Sequence, residues 1–115
     1  MSTSSPTVGH ERFTKSGRSA SLALLRTRIA RLPGLAVLDD PRPGARHGEE
    51  RVLIDVRGTG LSGFEIGRRM RRFSGVPLEH CREHRLLVVF DADEEIGTGA
   101  ERLLFALSHA CHAAG

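Results

Sequence analysis

The sequence predicts an α+β fold: an antiparallel or mixed sheet of about four strands, with about three helices packed on one face, in the order α-β-β-α-β-β-α. Three observations predict it. Leu22, Leu24, Leu25, Ile29 and Leu32 fall largely on one helical face, and Leu103, Leu104, Leu107 and Ala110 form a second stripe at helical spacing near the C-terminus. Two apolar runs, RVLIDV (51–56) and RLLVVF (85–90), read as strands. Finally, about four residues separate VPLEH (76–80) from RLLVVF, a link that permits an antiparallel hairpin and no parallel crossover, which takes a dozen residues or more.

In chain order, residues 1–18 are Ser/Thr/Gly-rich and without periodicity, and are expected to be a flexible tail or linker remnant before a domain spanning 19–115. The first helix follows, with Ser19 or Ser21 as its cap and Pro33-Gly34 as its stop. LAVLD (35–39) reads as a short strand. DPRPGARHGEE is a loop, carrying two prolines and two glycines, and RVLIDV is a central strand. After a glycine turn, Ser62 stands as N-cap with Glu65 three residues on, a capping-box arrangement. The helix that follows is expected over 63–73, with Phe64, Ile66, Met70 and Phe73 facing inward. The two hairpin strands come next, then the acidic loop DADEEIGTGA and a last helix that starts between 96 and 99.

The 115 residues suit one domain with a modest core. With 39% apolar and 27% charged residues, a folded soluble protein is the expectation. There are five Phe and no Tyr or Trp, so the core rests on Leu, Val, Ile and Ala. No apolar stretch approaches the roughly 20 residues that span a bilayer, and the N-terminus has no apolar centre of the secretory type, which gives a cytoplasmic expectation and no membrane partner. The net charge is +3 and Lys15 is the only lysine. This arginine skew, with abundant Ala and Gly, reflects a GC-rich genome rather than a polyanion partner. Cys81 and Cys111 do not make a disulfide framework and read as reduced thiols.

The stretch RGTGLSGFE (57–65) places Gly58, Gly60 and Gly63 at the G-x-G-x-x-G spacing of a dinucleotide-binding loop, with Glu79 or Glu83 as ribose-binding acid. The hairpin that follows breaks the parallel architecture such a loop requires. The preferred reading is a strand-to-helix turn whose glycines admit positive φ or close packing, although free N–H groups at the helix start can face an anion.

The stretch from Ile54 to Leu107 resembles the small C-terminal domain of the Orn/Lys/Arg decarboxylases, pyridoxal-phosphate (PLP) enzymes of the aspartate-aminotransferase fold. The resemblance is carried by the turn Gly60-Leu61-Ser62-Gly63-Phe64-Glu65, by Gly75-Val76-Pro77-Leu78-Glu79, by the apolar strand Arg85 to Phe90 and by the Glu101–Leu107 helix. It extends over about residues 19–112, since IARLPGLAVL fits the helix and strand that open such a domain. Asp91-Ala92-Asp93 departs from the family's Pro-Gly-Asp-like turn.

The resemblance implies a domain that closes against a large domain and shapes the substrate entrance. Gly60, Ser62, Gly63, Glu65 and Glu79 are then the candidates for entrance or domain contact. It implies PLP in the parent enzyme, held by a large-domain lysine in a Ser-x-His-Lys context. Lys15 follows Phe13-Thr14 and has no such context, so this chain alone is expected to bind no cofactor and to carry no catalytic residue. The expected partner is that large domain or a second copy of the chain. The rival expectation is a free-standing binding or regulatory module that self-associates through an exposed sheet face, or through the stripe of the first helix.

Other constellations are read structurally. His80, Cys81 and His84, with His109, Cys111 and His112, have ligand chemistry for zinc, but Cys111 lies off the face of the last two histidines and histidine is common at helix ends, so no metal is expected. RRMRRF (68–73) has the charge to contact phosphates, yet reads as a solvated helix face: stacking aromatics are missing beside it and Phe64 and Phe73 are taken for the core, so no nucleic acid is expected. The acids at 91, 93, 94 and 95 suit the N-terminal dipole of the last helix. Ser62 lies in L-S-G-F, outside a nucleophile elbow.

Overall fold

The computed structural model describes the backbone of residues 5–39 and 49–112, and side chains within 17–39 and 49–111. The loop expected after the first strand lies for the most part, at 40–48, outside the described residues. Along the chain come α1 (Ser5–Ala30), β1 (Ala36–Leu38), β2 (Glu50–Asp55), a 3-10 turn (Arg57–Thr59), α2 (Gly63–Met70), β3 (Leu78–Cys81), β4 (Arg85–Phe90) and α3 (Ile96–His112). This is the α+β order read from the sequence. The strands lie in the spatial order β1-β2-β4-β3, each neighbouring pair antiparallel. β2 and β3 therefore run parallel, but β4 occupies the slot between them.

Strand register sorts the sheet into two faces. Val37, Ile54 and Leu86 share one row and Val52 and Val88 another, so these side chains, with Phe90, Leu78 and Cys81, point to one side. All three helices cover that side, and α3 packs against both α1 and α2. Leu25 and Ile29 of α1, Ile66 and Met70 of α2, and Leu103, Leu104, Leu107 and Ala110 of α3 complete one core with Val52, Ile54, Leu86, Val88 and Phe90. The stripe expected on α3 is buried in full. Each large aliphatic side chain buried in this way contributes on the order of 1.5–3 kcal/mol.

No helix among the described residues packs on the opposite face, yet it is not polar. Leu38 pairs with Leu53, Leu53 with Leu87, and Leu87 with His80, so one row crosses all four strands. Val89 flanks it opposite Arg51. Leu87 is only 7% exposed although it lies outside the core cluster. Antiparallel sheets with a single covered face ordinarily alternate apolar and polar residues; β4 does not.

Two features of the helices differ from expectation. Helix α1 begins at Ser5 rather than near residue 19, so positions 5–18 are helical and only 1–4 of the expected tail lie outside the described residues. Ser19 and Ser21 accordingly sit inside the helix and do not cap it. Once Leu25 and Ile29 anchor α1, each further residue adds one hydrogen bond for one residue fixed, and Pro6 falls in the first turn, where its missing N–H costs nothing. Arg18 pins the helix by donating to the carbonyls of Glu94 and Asp91. The stripe of α1 is also spent within the chain: Leu25 and Ile29 are buried and Leu22 and Leu32 pack on the same core, which leaves Leu24 as the exposed leucine of this helix. The stripe expected for self-association thus packs mainly on this chain's own core.

In α2 the buried face is Gly63, Ile66, Gly67 and Met70, while Phe64 is 58% exposed, against the inward position expected for it. Two glycines take the places next to β3 and the β3–β4 turn because the approach there is too close for a side chain: a Cβ at Gly67 would overlap the Cys81 thiol, and one at Gly63 would stand 2.8 Å from the Arg85 carbonyl oxygen. No helix among the described residues is long and apolar enough to cross a membrane.

Candidate functional site

The glycine turn is built to join β2 to α2. Val56 N–H donates to the His84 carbonyl at 2.9 Å, and Thr59 N–H and Oγ1 both donate to the Val56 carbonyl, at 3.0 and 2.7 Å. Gly60 has φ 79°, the left-handed conformation that a side chain would strain. Gly58 lies against the backbone of Gly34, which a Cβ on either residue would disturb. Ser62 then caps α2, its Oγ accepting from Glu65 N–H at 3.0 Å.

The same contacts close the nucleotide reading. Gly63 N–H donates to the Glu83 carbonyl at 2.6 Å, Glu65 N–H to Ser62 Oγ, and Ile66 N–H to the Ser62 carbonyl at 3.1 Å. Three of the first-turn donors, on Gly63, Glu65 and Ile66, are thus committed inside the fold. The parallel strand that a dinucleotide would require beside β2 is displaced by β4.

Of the sequence candidates, Gly60, Ser62, Gly63 and Glu65 are brought together at this corner, and Glu79 is not. Glu79 stands exposed on the edge strand β3, at the irregularity between Leu78 and His80. Glu65 completes only half of a capping box, because its carboxylate turns along the helix: Arg68 Nη2 reaches both its oxygens at 2.7 Å and Arg69 Nε reaches Oε2 at 3.0 Å. These guanidinium hydrogen bonds, Arg68's first, hold the Glu65 carboxyl below its ordinary pKa, and Glu65 in turn holds the Arg68 guanidinium pKa above its own.

Arg69 also donates from Nη1 to the Ala110 carbonyl at 2.9 Å, tying α2 to the end of α3. Between these helices runs a groove of about 450 Å³, with Arg68, Arg69 and Arg72 on one wall and Phe73 and His109 on the other. Beside the groove lining, Phe105, 54% exposed, lies tilted against His109 with ring centroids 4.2 Å apart, and Phe73 meets Phe105 edge-on at 5.3 Å. The basic cluster thus does have aromatic neighbours, contrary to the sequence reading. They come from α3, where Phe105 and His109 fall at i, i+4 spacing off the buried stripe. That spacing was the signal available for them; what the sequence did not give was the pairing of α2 with α3.

The remaining candidates are dispersed. Among the described residues no three His, Cys, Asp or Glu side chains converge on a metal position; the His112 side chain lies outside them. Cys81 and Cys111 are free thiols, and burial pushes the Cys111 pKa up, opposed by the nearby Arg69 charge. In the acidic loop, Glu94 Oε1 accepts from Asp91 N–H at 3.0 Å and Glu95 Oε1 accepts from Thr98 Oγ1 at 2.9 Å, so two of the acids serve the turn and the first turn of α3. Among the described side chains no lysine lines the α2/α3 groove or a second groove between Arg18 and Gly97; Lys15 lies on α1 with its side chain outside the described residues. No protein-family model, curated protein or solved structure matches the chain.

Proposed function

We propose that the chain is the small domain of a PLP-dependent basic amino-acid decarboxylase, docked on a cofactor-binding large domain through the helix-free face of its sheet. The observation that carries this reading is the row Leu38–Leu53–Leu87–His80 on that face. Leu38 and Leu53 of that row are half-buried beside the buried Leu87, so a partner on this face would complete their cover, and a large domain is the partner that the sequence resemblance implies. The order α-β-β-α-β-β-α and the capped turn at Gly60–Glu65 agree with the same resemblance. On this reading the Schiff-base lysine and its electron sink belong to the large domain. The present chain breaks no bond; it shapes the entrance and excludes water when it closes.

Leu53→Lys tests the reading, since it places a charge in the middle of the row while leaving the helix-covered core untouched. The wild-type chain, co-expressed with a PLP-binding large domain of a basic amino-acid decarboxylase, should co-purify with it and support decarboxylation, and Leu53→Lys should abolish both. If the wild-type chain instead sediments as a dimer that Leu53→Lys dissociates, the face belongs to a self-associating module, the alternative reading. A wild-type chain that is monomeric at high micromolar concentration and binds no large domain refutes both.

A further inference from the structure

The α2/α3 groove is independent of the sheet face and has a different chemistry. Three arginines, Arg68, Arg69 and Arg72, line it with one carboxylate, Glu65, so the lining keeps an excess of positive charge. Arg69 is spent on Glu65 and on the Ala110 carbonyl. Arg68 uses Nη2 on Glu65, and its side chain is 71% exposed. Arg72, exposed at the end of α2, has no side-chain hydrogen bond or ion pair among the described residues. The whole guanidinium fork of Arg72, and the Nη1 and Nε of Arg68, are therefore open to an incoming anion.

The opposite wall offers planar surface. Phe73 and His109 line the groove, and Phe105, exposed just outside that lining, lies tilted against His109 and edge-on to Phe73. His109 Nδ1 lies 2.9 Å from the Phe105 carbonyl oxygen, which can only accept, so the proton resides on Nδ1 and Nε2 is left for a ligand. Large aromatic rings left in water beside uncommitted arginines suit a ligand that is both flat and anionic, and the groove volume falls within the range of small-molecule sites.

We propose that this groove binds a phosphorylated aromatic base, a nucleotide unit, with the phosphate on Arg72 and Arg68 and the base laid on His109 at the rim it forms with Phe105. One ring platform and one anion position account for one such unit, which is supplied either free or within a single strand.

Calorimetric titration of the full chain with AMP, adenosine, inorganic phosphate and an oligoadenylate of about eight nucleotides tests this. AMP should bind at least about tenfold more tightly than adenosine or phosphate, because both walls contribute. Phe105→Ala and Arg72→Gln should each weaken AMP about tenfold, and Arg72→Gln should also flatten the salt dependence. Phe64→Ala removes a similarly exposed ring that makes no ring contact with Phe73, Phe105 or His109 and should change nothing. Equal affinity for AMP and the oligonucleotide identifies a free nucleotide as the ligand, whereas tighter, more steeply salt-dependent binding of the oligonucleotide identifies a strand. Phosphate binding as tightly as AMP, loss of binding in Phe64→Ala, or no saturable binding of AMP or the oligonucleotide overturns the proposal.

Discussion

Gly63→Ala is the sharpest test of the corner that joins the sheet to α2. At an ordinary helix position a glycine-to-alanine change stabilises, by up to about 1 kcal/mol. Gly63 does not have positive φ, so the new methyl brings no torsional strain. Its surroundings reverse the sign. The added Cβ would overlap the Arg82 carbonyl oxygen and stand 2.8 Å from the Arg85 carbonyl oxygen, both backbone atoms of the β3–β4 turn. That turn is itself held by Arg82 N–H on the Arg85 carbonyl at 2.8 Å, and it cannot yield as a flexible side chain would. Overpacking of this kind costs about 1–3 kcal/mol, and stretching the Gly63 N–H bond to Glu83 forfeits about 0.5–1.5 kcal/mol more. Against the helix gain, the net loss is about 1–3 kcal/mol, or roughly 4–15 °C in Tm for a chain of this size. Far-UV circular dichroism is the suitable readout, because the chain has no Tyr or Trp to report by fluorescence. Gly60→Ala is the comparison: it meets nothing within 4 Å and should lose only the left-handed penalty of about 1 kcal/mol. If Gly63→Ala melts at or above the wild-type temperature, the close approach of α2 to the turn is wrong.

Three further outcomes are expected. Leu25→Glu buries a carboxylate at a position 1% exposed and should abolish cooperative unfolding by circular dichroism; a folded variant with a wild-type Tm would contradict the placement of α1 in the core. The Glu65 pKa is lowered in the folded chain, so its contribution is complete above the ordinary glutamate value near 4.5 and lost as pH falls through it toward the lower folded value; Glu65→Gln should flatten the acid limb of a stability–pH curve, and an unchanged limb would count against the Arg68 and Arg69 contacts. Because burial raises the Cys111 pKa above the ordinary value near 9, iodoacetamide should modify Cys111 more slowly at pH 8 than a free cysteine, followed in Cys81→Ser by mass spectrometry; an equal or faster rate would contradict its burial.

The strongest sequence signals were those in which local chemistry and global packing agree. RLLVVF marks β4 to the residue, and Ser62 marks the start of α2, because a short aliphatic run and an N-cap hydroxyl each have one compatible conformation there. The inward face of α2 was misjudged for a physical reason: hydrophobicity favours Phe64, but the helix lies so close to the hairpin that glycines occupy two of the four buried positions. Positions 5–18 of α1 carry no periodic signal, because a helix extended from an anchored segment needs none. In the α2/α3 groove, the arginines were evident as a run, whereas Phe73, Phe105 and His109 meet only through tertiary packing.

The aliphatic character of β4 on both faces has a consequence for how its alignment is chosen. In most antiparallel strands a slip of one residue would exchange core side chains for polar ones and be rejected. A slip in β4 would replace Leu86 and Val88 by Leu87 and Val89, which a hydrophobic core accepts nearly as well. The discrimination must come from the neighbours. β2 alternates Val52 and Ile54 with Arg51, Leu53 and Asp55, so the polar residues flanking Leu53 fix which face points outward. The Arg82–Arg85 turn sets where β4 begins, and the Asp91–Glu94 turn sets where it ends. Pairing fidelity in this sheet is thus assigned to the ends of β4 and to its partner strand, and substitutions at the turns should scramble alignment more readily than aliphatic exchanges within β4 itself.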